Sequence, residues 1–90
     1  MALKYRVYVL QNLAGRFYIG LSADVGVRLA QHNAGESKWT AKYRPWSIVW
    51  QSEEETLSEA RKLENSLKRQ KGGDGFYRLT GLTRPSESGS

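Results

Sequence analysis

The feature that most constrains the fold of this chain is a hairpin pattern in its first quarter. Residues 3–10 alternate: Leu3, Tyr5, Val7 and Val9 point one way, and Lys4, Arg6, Tyr8 and Leu10 the other. A period of two carried by β-branched and aromatic residues is strand periodicity. Asn12 to Gly15 supplies turn residues, and Arg16 to Leu21 reads as a second short strand. The two strands pair as a β-hairpin, which places Tyr8 and Tyr18 on adjacent strands. Gly20 ends the second strand.

The rest of the chain has to cover that hairpin. Ser22 or Asp24 can cap a helix running from about 24 to 33, because either side chain accepts a bond from a free amide of the first turn. Asn33 and Gly35 form its stop signal. A polar connection from Gly35 to Arg44 has room for a short helix. A third strand, Trp46 to Gln51, follows Pro45. Thr56 and Glu59 have capping-box spacing, so a helix starts there and continues to about Lys71. The glycines at 72, 73 and 75 break it, and Phe76 to Leu82 reads as a short helix or packed turn. Three strands cannot bury both faces of a sheet unaided, so the helices must flank it. The expected fold is α+β, a small three-stranded antiparallel sheet flanked by helices in the order β-β-α-β-α. Residues 1–82 form one domain, and 83–90 read as a polar, disordered tail.

A chain of 90 residues is near the low end of what folds alone, so its three Trp and five Tyr must supply much of the buried area. It has no Cys, which excludes disulfides, a thiolate nucleophile and Cys-based zinc sites. No apolar run is long enough for a membrane span, and the first residues lack a signal-peptide pattern. These features predict a soluble cytoplasmic protein. The net charge of +5 favours a polyanion partner such as nucleic acid. The charges are also sorted along one helix: Glu53, Glu54, Glu55 and Glu59 come first, and Arg61, Lys62, Lys68, Arg69 and Lys71 come later. A solvated helix with its macrodipole complemented would look the same.

A few side chains fit catalysis as well as packing. Leu57, Ala60, Leu63 and Leu67 make the apolar stripe of the last long helix, and Glu64 falls inside that stripe. Such a carboxylate is either salt-bridged at the margin or a ligand for a divalent cation. One carboxylate with waters and a substrate phosphate suffices for Mg²⁺. Tyr8 and Tyr18 either pack or aim two phenols at one spot. Arg28 and His32, one helical turn apart, are either a solvated face or a phosphate-binding cation beside an acid–base group.

Taken together the spacing is Val7-Tyr8-Val9, eight residues, Tyr18-Ile19-Gly20, seven residues, Arg28, three residues, His32, and a later helical Glu64. This constellation resembles the GIY-YIG endonuclease superfamily, and its small stand-alone bacterial members most. The resemblance covers about residues 5–71 and takes in Asn33, Gly35, Arg44-Pro45-Trp46 and Ala60. Arg6 stands where the namesake glycine would be, and no Asn follows Asn65 where the superfamily often carries one near the site. The resemblance implies a metal-dependent DNA endonuclease that hydrolyses phosphodiester bonds, with links to DNA repair or recombination.

It also implies residue roles. Tyr8 would be the general base or its relay to water, and Tyr18 would position water or phosphate. Arg28 would hold the scissile phosphate and His32 would assist proton transfer. Glu64 would hold one Mg²⁺ or Mn²⁺ ion. Gly20 would permit close backbone approach beside the site. Lys38, Trp39, Lys42, Arg44, Lys68, Arg69 and Lys71 are candidates for gripping DNA, or RNA, through phosphates and a stacked base, with Tyr43 a further stacking candidate. With no added domain in the sequence, specificity is expected from a protein partner or from structure-selective binding. The competing expectation is a non-catalytic nucleic-acid-binding or protein-interaction module on the same fold.

Overall fold

A computed structural model describes residues 3–71 and 73–82. Strands β1 (Arg6–Asn12), β2 (Phe17–Ser22) and β3 (Trp46–Gln51) form one antiparallel sheet in the order β2-β1-β3. Four helices accompany it: α1 (Val25–Asn33), α2 (Lys38–Lys42), α3 (Leu57–Arg69) and α4 (Asp74–Thr80). The α+β architecture expected from the sequence is the one observed. The expected tail at 83–90 lies outside the described residues, as does Gly72.

β1 is the central strand, and Val7, Tyr8, Val9 and Leu10 are all buried because both faces of the sheet are covered. On one face Val7, Val9, Phe17 and Ile19 pack with Ala60 and Leu67 of α3 and Phe76 of α4. On the other Tyr8 and Leu10 pack with Val25 of α1 and Trp46. Full burial of each such side chain contributes about 1.5–3 kcal/mol, so two small cores share the stabilisation. The register shifts between Val9 and Leu10 in the β1–β3 ladder, an irregularity of the bulge kind.

Local chemistry sets the ends of the elements. In the hairpin turn Asn12 Oδ1 accepts from the amides of Ala14 (3.1 Å) and Arg16 (2.8 Å), and Gly15 takes a left-handed φ of +86°. Asp24 caps α1 by accepting from the Val27 amide at 3.1 Å, so it, rather than Ser22, is the capping side chain. Thr56 caps α3 from the Glu59 amide at 3.2 Å. Each cap is worth about 1 kcal/mol. The Arg44–Pro45 peptide bond is cis.

Several bounds differ from the sequence expectation: β2 runs past Gly20 to Ser22, α3 stops at Arg69, and α4 starts at Asp74. β1 starts at Arg6 and runs to Asn12, because pairing with Trp46 holds its far end in the sheet. Leu3 is therefore exposed. Leu57 is also 41% exposed, since the first residue of α3 sits before the helix reaches the sheet, while Ala60 and Leu67 carry the buried stripe.

Candidate active site

β1 and β2 bring the two tyrosines to one face. Tyr8 pairs with Gly20 and Leu10 with Tyr18, so Tyr8 and Tyr18 are diagonal neighbours with ring centroids 6.3 Å apart. α1 lies over this face and supplies Arg28 and His32 one turn apart. The His32 ring meets the Tyr18 ring edge-on at 4.7 Å. Its Nε2 is 3.1 Å from Tyr8 Oη, and its Nδ1 is 2.9 Å from Thr40 Oγ1 of α2. His32 is thus a buried side chain with both nitrogens engaged, 1% exposed, and not part of a solvated helix face.

The charges follow from this packing. Burial pushes the Tyr8 phenol above its usual range; the Arg28 hydrogen bond and charge oppose that shift, and Tyr18 and Glu64 add to it. Burial, helped by the Arg28 charge, holds His32 below its usual value. At neutral pH Tyr8 keeps its proton and His32 is an uncharged imidazole, so the His32 tautomer sets which of the two donates.

Arg28 is half-buried, and Gln31 fixes it by accepting from its Nη1 at 2.6 Å. Arg28, Gln31 and His32, with Glu36 and Ser37, line a cavity of about 370 Å³. A guanidinium held at one nitrogen still has N–H groups suited to two oxygens of a phosphate.

Glu64 sits on α3 with its side chain only 13% exposed, and its carboxylate is 3.1 Å from the Lys68 ammonium one turn on. The stripe position is therefore occupied by an ion-paired acid near enough to Tyr8 to influence its proton. Among the described residues no cluster of three or more acidic, His or Cys side chains could cage a metal. The donor set is one hard, largely buried carboxylate whose charge acts on the Tyr8 phenol. That set suits Mg²⁺ or Mn²⁺, which keep several waters and share substrate oxygens, and Lys68 already shows that the carboxylate takes a cation.

The residues proposed to grip nucleic acid divide. Trp39, Lys68 and Lys71 line a second groove of about 330 Å³ with Tyr18 and Ile19, along the edge strand β2. Trp39 is 41% exposed. Lys71 stands 5.8 Å over its ring. Burial, then the charges of Arg16 and Lys68, lower the Lys71 pKa. Lys38, Lys42 and Arg69 are exposed and line neither cavity. Arg44 is turned to its own fold: its Nη1 donates to the Asn33 carbonyl at 3.4 Å, against Gly35. Tyr43 packs against Trp39 with ring centroids 4.9 Å apart and planes tilted by 50°, and lies under Arg16.

Sequence reasoning missed Thr40, Gln31 and the full part of Asn33. Asn33 exchanges hydrogen bonds with the backbone of Trp46, accepting from its N–H at 2.7 Å and donating to its carbonyl at 3.1 Å, which fastens α1 to β3. The Arg28–Gln31 spacing of three was a readable signal; Thr40 had none.

The family model described as the GIY-YIG catalytic domain matches residues 4–76, a span that holds Tyr8, Tyr18, Arg28, His32 and Glu64. UPF0213 proteins from Staphylococcus aureus strains Mu3, Mu50 and MW2 are each 41% identical over 63 residues, covering 69% of this chain and 77% of the relative. No solved structure matches. Among the described residues no helix is long and apolar enough to cross a membrane.

Proposed function

This chain belongs to the GIY-YIG family, a nuclease-type domain, and from that premise we propose that it is a metal-dependent endonuclease hydrolysing DNA phosphodiester bonds. The observation that carries the proposal is the buried Tyr8–His32 pair, with the Arg28 charge acting on the phenol and Arg28 and His32 on the wall of a cavity of about 370 Å³.

Each side chain then has one task. Arg28, steadied by Gln31, binds the scissile phosphate and neutralises the charge that grows on its oxygens. Tyr18 borders both the His32 ring and the outer groove, and positions water or phosphate. Tyr8 receives a proton from the attacking water while its own proton moves to His32 Nε2. Glu64 would hold a divalent cation, which when bound stabilises the leaving oxygen. Trp39, Lys68 and Lys71 guide the nucleic-acid strand past Tyr18. DNA repair or recombination is the setting the resemblance suggests, with a partner protein as a source of specificity.

The test is incubation of nicked, branched and supercoiled DNA with the pure protein and Mg²⁺ or Mn²⁺, wild type beside Glu64→Ala. The proposal expects cuts by the wild type alone. It fails if the wild type cuts nothing with either metal, or if the variant cuts equally well.

The Lys68 ammonium on Glu64 favours a second reading, a binding module that retains the fold without cutting. Salt-sensitive DNA binding with no cleavage would select it.

A further inference from the structure

A buried chain of hydrogen bonds runs inward from the candidate site. Tyr8 Oη lies 3.1 Å from His32 Nε2, His32 Nδ1 lies 2.9 Å from Thr40 Oγ1, and Thr40 Oγ1 lies 3.4 Å from the Ser37 carbonyl oxygen. The Ser37 end sets the direction of this chain. A carbonyl oxygen only accepts, so the single hydroxyl proton of Thr40 goes to Ser37, and the Thr40 oxygen accepts from His32. A neutral imidazole protonated at Nδ1 is bare at Nε2, and the Tyr8 hydroxyl 3.1 Å away donates to it. Thr40 is 0% exposed and His32 1%, so bulk solvent does not compete for these groups. Thr40 is itself held in place, because its carbonyl accepts from Trp46 Nε1 at 2.8 Å.

From this chain we infer that Thr40 is a positioning residue for proton transfer: its hydroxyl keeps the His32 proton on Nδ1 and turns the bare Nε2 toward Tyr8. The inference rests on the hydrolase reading of the site. In the step it serves, water gives a proton to Tyr8 Oη while the Tyr8 proton passes to His32 Nε2. The hydroxide attacks phosphorus, and the bond from phosphorus to the leaving oxygen breaks. The imidazolium later returns its Nε2 proton to Tyr8, whose other proton leaves to the solvent or to the departing alkoxide. With the opposite tautomer an N–H would face Tyr8, and the phenol proton would have no acceptor.

The test reads the His32 tautomer at neutral pH by nitrogen NMR on protein carrying isotope-labelled histidine, alongside cleavage rates. In the wild type Nδ1 should be protonated and Nε2 bare. Thr40→Val removes the acceptor while keeping the shape, so the proton should move to Nε2 and cleavage should fall on the order of 10²-fold. Thr40→Ser should restore both. A wild type protonated on Nε2 overturns the inference whatever its activity, and so does a Thr40→Val protein that cuts at the wild-type rate. A tautomer that switches as expected in proteins none of which cuts DNA, wild type included, would uphold the part played by Thr40 and overturn the nuclease reading instead.

Discussion

Tyr8 and Gly20 face each other across the β1–β2 pair so closely that a β-carbon on Gly20 would sit 2.5 Å from the Tyr8 hydroxyl oxygen and 2.7 Å from the ring carbon bearing it. Gly20 is thus the floor under the phenol: the backbone approach it permits is to the side chain of Tyr8. Gly20→Ala should push the ring aside and separate Tyr8 from His32. Overpacking of this kind costs about 1–3 kcal/mol, and a misplacement near 1 Å costs cleavage roughly 10²-fold. Thermal unfolding and cleavage rates on the same preparation check this; unchanged cleavage would show that the tight contact is not needed.

His32 gives the fold a pH dependence of known sign. Its pKa in the folded chain lies below the ordinary value of 6.5 that an unfolded chain would show. The unfolded state therefore binds more protons as pH falls through about 6.5, and stability drops in that direction. Urea midpoints between pH 7.5 and 5.5 should decline for the wild type. His32→Gln should show a smaller decline over that range, and an equal one would contradict the burial account.

Much of this geometry was legible in the sequence, and the part that was not has a physical cause. Alternation gave the hairpin, and the i, i+4 spacing put Arg28 and His32 on one face. Glu64 stood out because it interrupts an apolar stripe. Thr40 could not be read this way. Its contact with His32 exists only because α2 folds back over α1, held by Trp46, and that placement is a tertiary fact no local period encodes. The ion pair of Glu64 with Lys68 was readable as an i, i+4 spacing, but the same spacing fits a solvated pair on any helix. The wide spread of candidate DNA-binding lysines narrowed because exposure alone does not say which side chains share a groove.

Lys68 competes with any cation for Glu64. Lys68→Ala should tighten Mn²⁺ binding by roughly 1.4- to 5-fold, the range set by about 0.2–1 kcal/mol for a pair whose ammonium is exposed. Electron paramagnetic resonance titration of Mn²⁺ measures this without DNA. Weaker or unchanged binding in the variant would mean that Glu64 is not the metal ligand.

Along β2, Trp39 and Lys71 should govern strand binding, and Lys42 should not. Lys71→Gln should lower the slope of log affinity against log salt by about 0.7–0.9, the loss of one phosphate contact. Trp39→Ala should weaken binding to unpaired DNA by about 1–3 kcal/mol, one stacked base. Fluorescence anisotropy on the Glu64→Ala background separates these effects from cleavage. Equal losses from Lys42→Gln would point to a diffuse surface.

The most direct measurement compares wild type with Tyr8→Phe, which removes a single oxygen from a buried ring. Under single-turnover conditions with saturating protein and Mg²⁺, the wild type should cut DNA and the variant should be slower by about 10²-fold or more, with binding retained. A Tyr8→Phe protein that cuts at the wild-type rate would contradict the account at its centre, since the phenol would then have no part in activating water.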